Sequence, residues 1–63
     1  MRLEAVWLKN GKEIFRIGPV LNIVCDDSIQ NISDIEVYDG VEWYSRIDCD
    51  GDADDFKIEI KRD

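Results

Sequence analysis

The chain predicts an all-β fold, and three observations carry the prediction. Apolar residues alternate from Met1 to Leu8, with Leu3, Ala5 and Trp7 on one side. Asn10-Gly11 and Asp39-Gly40 are hairpin turn dipeptides. Segments rich in β-branched and aromatic residues recur at roughly 8–12-residue intervals, with turn chemistry between them. The expected form is a small antiparallel sheet or partly open barrel of five to six strands, built from two hairpins in a single domain spanning residues 1–63.

The elements follow in order. Met1 to Leu8 is the first strand, Asn10-Gly11 the turn, and Glu13 to Ile17 the return. Gly18-Pro19 ends that strand. Val20 to Cys25 is a third strand, Asp34 to Val37 a fourth, Val41 to Ile47 a fifth and Phe56 to Lys61 a sixth. Between the third and fourth, Ile29, Ile32 and Ile35 are spaced by three, and Asp27 with Gln30 forms a capping-box pair. A short helical turn is expected near 27–32.

A slip of one residue turns every strand side chain to the opposite face, so register decides the core. A three-residue loop, Lys9-Asn10-Gly11, puts Leu3, Ala5 and Trp7 on one face with Phe15 and Ile17, and sets Glu4 opposite Arg16. A loop of Tyr38-Asp39-Gly40 puts Ile35 and Val37 on the face of Val41 and Trp43. The expected core is therefore Trp7, Phe15, Ile17, Val37 and Trp43.

Sixty-three residues bury only about 60% of the unfolded surface, so stability is marginal. A hydrophobic content of 44% suits a folded chain. No apolar run approaches the ~18 residues of a membrane span, and no signal peptide is apparent, so a cytoplasmic location is expected. There are two cysteines, Cys25 and Cys49, and no histidine. The cysteines are read as thiols, with one disulfide as the alternative. Without histidine the usual general base near neutral pH is missing. No catalytic residue and no cofactor is assigned, and the expectation is a protein that is not an enzyme.

Charge is the strongest functional signal. The net charge is −7, yet the stretch from Asp26 to Asp55 holds eleven carboxylates against the single base Arg46. Such segregation makes a concentrated negative field that attracts basic surfaces. The expected partner-binding set is Asp34, Glu36, Tyr38, Asp39, Glu42, Tyr44, Asp50, Asp52, Asp54 and Asp55. Carboxylates on adjacent strands lie about 4.8 Å apart, and same-face residues along a strand about 6.7 Å apart. That spacing resembles the phosphates of a nucleic acid strand, and the interleaved tyrosines supply anchoring contacts.

Two other surfaces compete with this reading. Asp48, Asp50 and Asp52, with Glu59, fall at positions 1, 3, 5 and 12 of a calcium loop of the EF-hand type. Position 6 is Ala53 where that loop wants glycine, and the flanks read as strands, so these four are weak candidate ligands and no metal is assigned. Val6, Leu8 and Ile14 point away from the Trp7 face. They are either covered by other strands or form a homodimer contact.

In size and composition, though not in any motif, the chain resembles the short acidic inhibitors that phages and mobile elements direct against host nucleases and other DNA-handling proteins, including anti-CRISPR and DNA-mimic proteins. The resemblance implies an acidic face that occludes the nucleic-acid channel of a basic host protein, in the host-cell cytoplasm. Direct nucleic-acid binding is not expected, because the few bases are too diluted to track phosphates. A structural or adaptor β-domain is the alternative function, and a calcium-stabilised module the second alternative.

Overall fold

The computed structural model describes residues 1–25, 35–49 and 51–62. The helical turn expected near 27–32, and the candidates Asp34 and Asp50, lie outside the described residues. The fold is all-β. The described strands are β1 (Arg2–Lys9), β2 (Lys12–Ile17), β3 (Asn22–Cys25), β4 (Ile35–Tyr38), β5 (Trp43–Tyr44) and β6 (Asp55–Lys61). They form two three-stranded antiparallel sheets, ordered β2-β1-β6 and β3-β4-β5.

In the first hairpin, Asn10 and Gly11 both take positive φ, 52° and 79°. That is the requirement of a tight two-residue turn of the primed class, which Asn-Gly satisfies at least cost. The expected three-residue loop is therefore not what forms. Leu8 pairs with Glu13, and Ile14 is then an extra residue that lets Trp7 pair with Phe15 and Ala5 with Ile17. The bulge restores the face that a plain two-residue turn would have lost. Trp7, Ala5, Phe15 and Ile17 share one side as expected, with the pairing moved two residues along.

The inner faces of the two sheets meet over Ala5, Trp7, Val20, Ile35, Val37 and Ala53. Phe15, Ile17, Tyr44, Cys49, Phe56 and Ile58 pack around them. Trp7 is 0% exposed and sits between Phe15 and Phe56, with ring centroids 5.5 and 5.0 Å away. Two backbone bonds tie loops to β1: Val20 N–H donates to Leu3 O, and Asp54 N–H to Leu8 O, each at 2.8 Å. Cys25 is a free, exposed thiol.

The second hairpin departs from expectation. Tyr38 pairs with Trp43 and Val37 with Tyr44. The turn is tighter than Tyr38-Asp39-Gly40. Asp39 N–H donates to Glu42 O at 3.2 Å, which leaves Gly40 and Val41 as the connection, with Gly40 at φ 103°. This register has the opposite parity, so Trp43 is turned out of the core and is 46% exposed. Tyr44 takes the inner side and packs on Phe15, centroids 5.9 Å apart. Strand five is also short. Arg46 and Ile47, expected to extend it, belong to a 3-10 turn over Arg46–Cys49, and Gly51 N–H donates to Arg46 O at 3.1 Å with Gly51 at φ 72°.

Candidate functional site

The outer faces of the two sheets treat charge in opposite ways. On β2-β1-β6, alternation places Glu4, Arg16, Lys57, Glu59 and Lys61 together on the outer side. Glu4 and Glu59 are direct cross-strand partners, a repulsive pairing by itself. Arg16 resolves it. Its guanidinium donates to Glu4, to Glu59 at 2.9 Å and to both oxygens of Glu13. Arg2 adds a contact to Glu4 at 3.0 Å, and Lys57 one to Glu59 at 2.9 Å. Hydrogen bonding to Lys57 and Arg16 holds Glu59 down to about 2. The hydrogen bond from Arg16 lowers Glu4 and Glu13 as well. Val6 is 0% exposed on this face, flanked across the strands by Arg16 and Lys57. Aliphatic stems of long cationic side chains cover such positions. Leu8 is also buried, so of the three residues expected on an outer apolar face Ile14 alone is exposed.

Several carboxylates outside this ladder are held by neutral donors. Asp39 Oδ1 accepts the N–H groups of Val41 and Glu42 at 2.8 Å each, and these bonds lower its pKa. Asp48 Oδ2 accepts Ser45 N–H at 2.7 Å. Asp54 accepts Asn10 N–H at 3.2 Å, and Asp55 Oδ1 accepts Phe56 N–H at 2.8 Å. Glu42 Oε2 accepts the Tyr44 hydroxyl at 3.0 Å, which raises the tyrosine pKa. A neutral donor fixes a carboxylate in place without cancelling its charge. The negative charge of these residues is thus left uncancelled.

The expected site residues therefore separate. Glu36, Asp52, Asp54 and Asp55 are exposed, and so is Glu42. Asp39 shapes the hairpin loop. Tyr44 belongs to the core side, reaching outward only through its hydroxyl. Tyr38 lies on the outer face with its hydroxyl donating to Gly40 O at 2.9 Å. Trp43, expected in the core, stacks instead on Tyr38 with centroids 4.9 Å apart and an interplanar angle of 26°. The signal that could have found it is the Gly40-Val41 dipeptide, because a two-residue type II′ hairpin turn takes glycine at its first central position. That reading pairs Tyr38 with Trp43.

Among the described residues, the calcium candidates Asp48, Asp52 and Glu59 do not gather. Glu59 pairs with Glu4 four residues beyond Asp55, about 13 Å along the strand, and it is committed to Arg16, Lys57 and Lys61. Asp48 lies on the 3-10 turn. Among the described residues, no group of three or more His, Cys, Asp or Glu gathers as a metal site. A cleft of about 490 Å³ opens beside this turn, lined by Lys9, Ile14, Asp48, Cys49 and Asp52. Among the described residues no helix is long and apolar enough to cross a membrane. No protein-family model, curated protein or solved structure gives a significant match to the chain.

Proposed function

We propose that the chain is a small acidic binding protein that docks its carboxylate-rich side on the basic nucleic-acid-binding surface of another protein and occludes it. The observation that supports this reading is the partition of charge. Residues 1–17 and 55–62, which hold β1, β2 and β6, carry seven bases and four acids. The other described residues carry one base and six acids. The acids of the first group are largely neutralised internally by Arg16, Lys57 and Arg2. Of the second, Asp39, Asp48 and Asp54 accept backbone N–H groups and Glu42 accepts a hydroxyl, so these stay negative. A one-sided field of this kind accelerates encounter with a basic partner and fixes its orientation. An inhibitor carried by a phage or mobile element, of the anti-CRISPR or a related anti-defence type, would act in this way in the host cytoplasm.

The test has two steps. Capture from a host lysate at low and high salt should return a basic nucleic-acid-binding protein that is lost as salt rises. The variant with Asp50, Asp52, Asp54 and Asp55 all changed to Asn should then associate with it more slowly and with a shallower salt dependence. Asparagine keeps the acceptor oxygens that hold Asn10 and Phe56, so the fold should persist. Nucleic acid and the wild-type chain should exclude one another on that partner. Unchanged affinity of the folded variant, or simultaneous binding of nucleic acid, would sink the reading.

A further inference from the structure

The outer face of β3-β4-β5 carries a second feature besides charge. Alternation and register place Asn22 and Val24 from β3, Glu36 and Tyr38 from β4, and Trp43 from β5 on it together. Trp43 and Val24 are each 46% exposed. Leu21 and Val41, at 64% and 83%, border the same hairpin tip, where the Leu21 side chain lies against Gly40. Four exposed large apolar groups thus lie on this face or at its hairpin tip. The aromatic pair is held in a fixed geometry. Tyr38 is tethered through its hydroxyl to Gly40 O, and its ring stacks on that of Trp43. Glu36 stands two residues before Tyr38 on the same face, about 6.7 Å along the strand.

We infer that this face is a docking platform for an arginine side chain of a basic partner protein, stacked on Trp43 and Tyr38 with its guanidinium directed to Glu36. The inference rests on the acidic docking reading above and names the chemistry of its anchor. Charge complementarity selects the occupant. An apolar partner would gain from Trp43, Val24 and Val41 but would bury Glu36 unpaired, which is costly. A guanidinium satisfies both elements. It is planar, weakly hydrated and attracted to the negative face of an aromatic ring, and it offers N–H donors to a carboxylate. A lysine ammonium is a compact, strongly hydrated charge and gains less from a stacked pair. The face should therefore prefer arginine over lysine at equal charge.

The experiment compares nona-arginine and nona-lysine peptides, titrated against the full chain at constant salt. Affinity and the indole N–H resonances of Trp7 and Trp43 are both followed by NMR. The wild-type chain should bind nona-arginine about ten-fold tighter. The Trp43 indole signal should move while that of buried Trp7 stays. Trp43→Ala should bring the two affinities together, with an unshifted Trp7 signal reporting an intact fold. Glu36→Gln should narrow the preference in a chain that retains both rings. The Asn variant of Asp50, Asp52, Asp54 and Asp55 should weaken both peptides alike and leave their ratio standing. If that variant binds both peptides as wild type does while the arginine preference persists, the acidic docking reading fails and the platform survives. Equal wild-type affinities, or a preference that outlives Trp43→Ala, overturns the platform whatever the loop variant does.

Discussion

The two sheets use similar residues to opposite ends. On β2-β1-β6, long charged side chains lie across an apolar strand position and neutralise one another, so Val6 is buried beside Arg16 and Lys57. On β3-β4-β5, the corresponding outer face exposes Trp43 and Val24 beside Glu36. One face is closed by its own chemistry. The other is left open in both charge and apolar surface. In a chain of 63 residues an exposed tryptophan is surface withheld from a small core, so its stabilising contribution to folding is limited. The difference teaches that one sheet closes its outer face with its own side chains while the other leaves its face open, and each half of the contrast can be tested by breaking it.

The largest contrast is between the two tryptophans. Trp7→Ala removes a fully buried ring wedged between Phe15 and Phe56, and should cost about 3–5 kcal/mol. In a domain this small that loss is enough to unfold it. Trp43→Ala removes a half-exposed ring from a surface stack, and should cost about 1 kcal/mol. Urea unfolding of the two variants side by side checks this. Comparable losses would mean that Trp43 is part of the core after all.

Arg16→Ala comes next. It leaves Glu4 and Glu59 facing each other across β1 and β6 without the guanidinium that bridges them. Its melting temperature should fall further than that of any single neutralisation on the other sheet, such as Glu36→Gln. An Arg16→Ala chain as stable as wild type would show that the outer charges of β2-β1-β6 are merely solvated.

Tyr44→Ala should also be more damaging than Trp43→Ala, although tyrosine is the smaller ring. Tyr44 packs on Phe15 from the inner side and holds Glu42 through its hydroxyl. Thermal melts of the pair decide the register of β5 directly. A higher melting temperature for Tyr44→Ala than for Trp43→Ala would restore the parity in which Trp43 points inward.

The same register marks where sequence was legible. The strand order along the chain and the core positions Trp7, Phe15, Ile17 and Val37 follow from alternation and one strong turn signal. The place expected for Glu4, opposite Arg16, is held by Val6, and Arg16 reaches Glu4 diagonally along the same face. Alternation is a property of each strand alone. Pairing is not, because it depends on turn length, and both turns are tighter than the three-residue loops expected. In the first hairpin the bulge at Ile14 corrected the parity, so the same core resulted. In the second no bulge intervenes between the pairs Val37–Tyr44 and Tyr38–Trp43, so Trp43 and Tyr44 take the opposite faces to those expected. The acidic concentration was legible from composition. Its anchoring to backbone amides was not, because those donors are brought together only by the folded loops. The arginine ladder was half legible: Glu59 looked like a loop ligand until β6 was paired with β1.

The smallest effect separates two ways of lowering a carboxylate pKa. Glu59 is depressed from 4.5 to about 2 by Lys57 and Arg16, whereas Asp39 is depressed by the N–H groups of Glu42 and Val41. Both groups bind their proton more weakly in the folded chain than in the unfolded one. Each therefore adds stability that is full above its unfolded pKa and lost as pH falls through its folded value. For Glu59 that window runs from 4.5 down to about 2. Salt should distinguish the two. At 1 M ionic strength the screening length is about 3 Å, so contributions from surrounding mobile cations weaken, while hydrogen bonds fixed by the backbone of a tight turn do not. Side-chain carboxyl NMR titrations at low and high salt should show the Glu59 pKa climbing toward the ordinary carboxylate value while Asp39 keeps its depression. Equal movement of the two would mean that Asp39 is governed by the surrounding charges rather than by its loop, and the distinction between a neutralised sheet and a backbone-anchored acidic one would lose its basis at that residue.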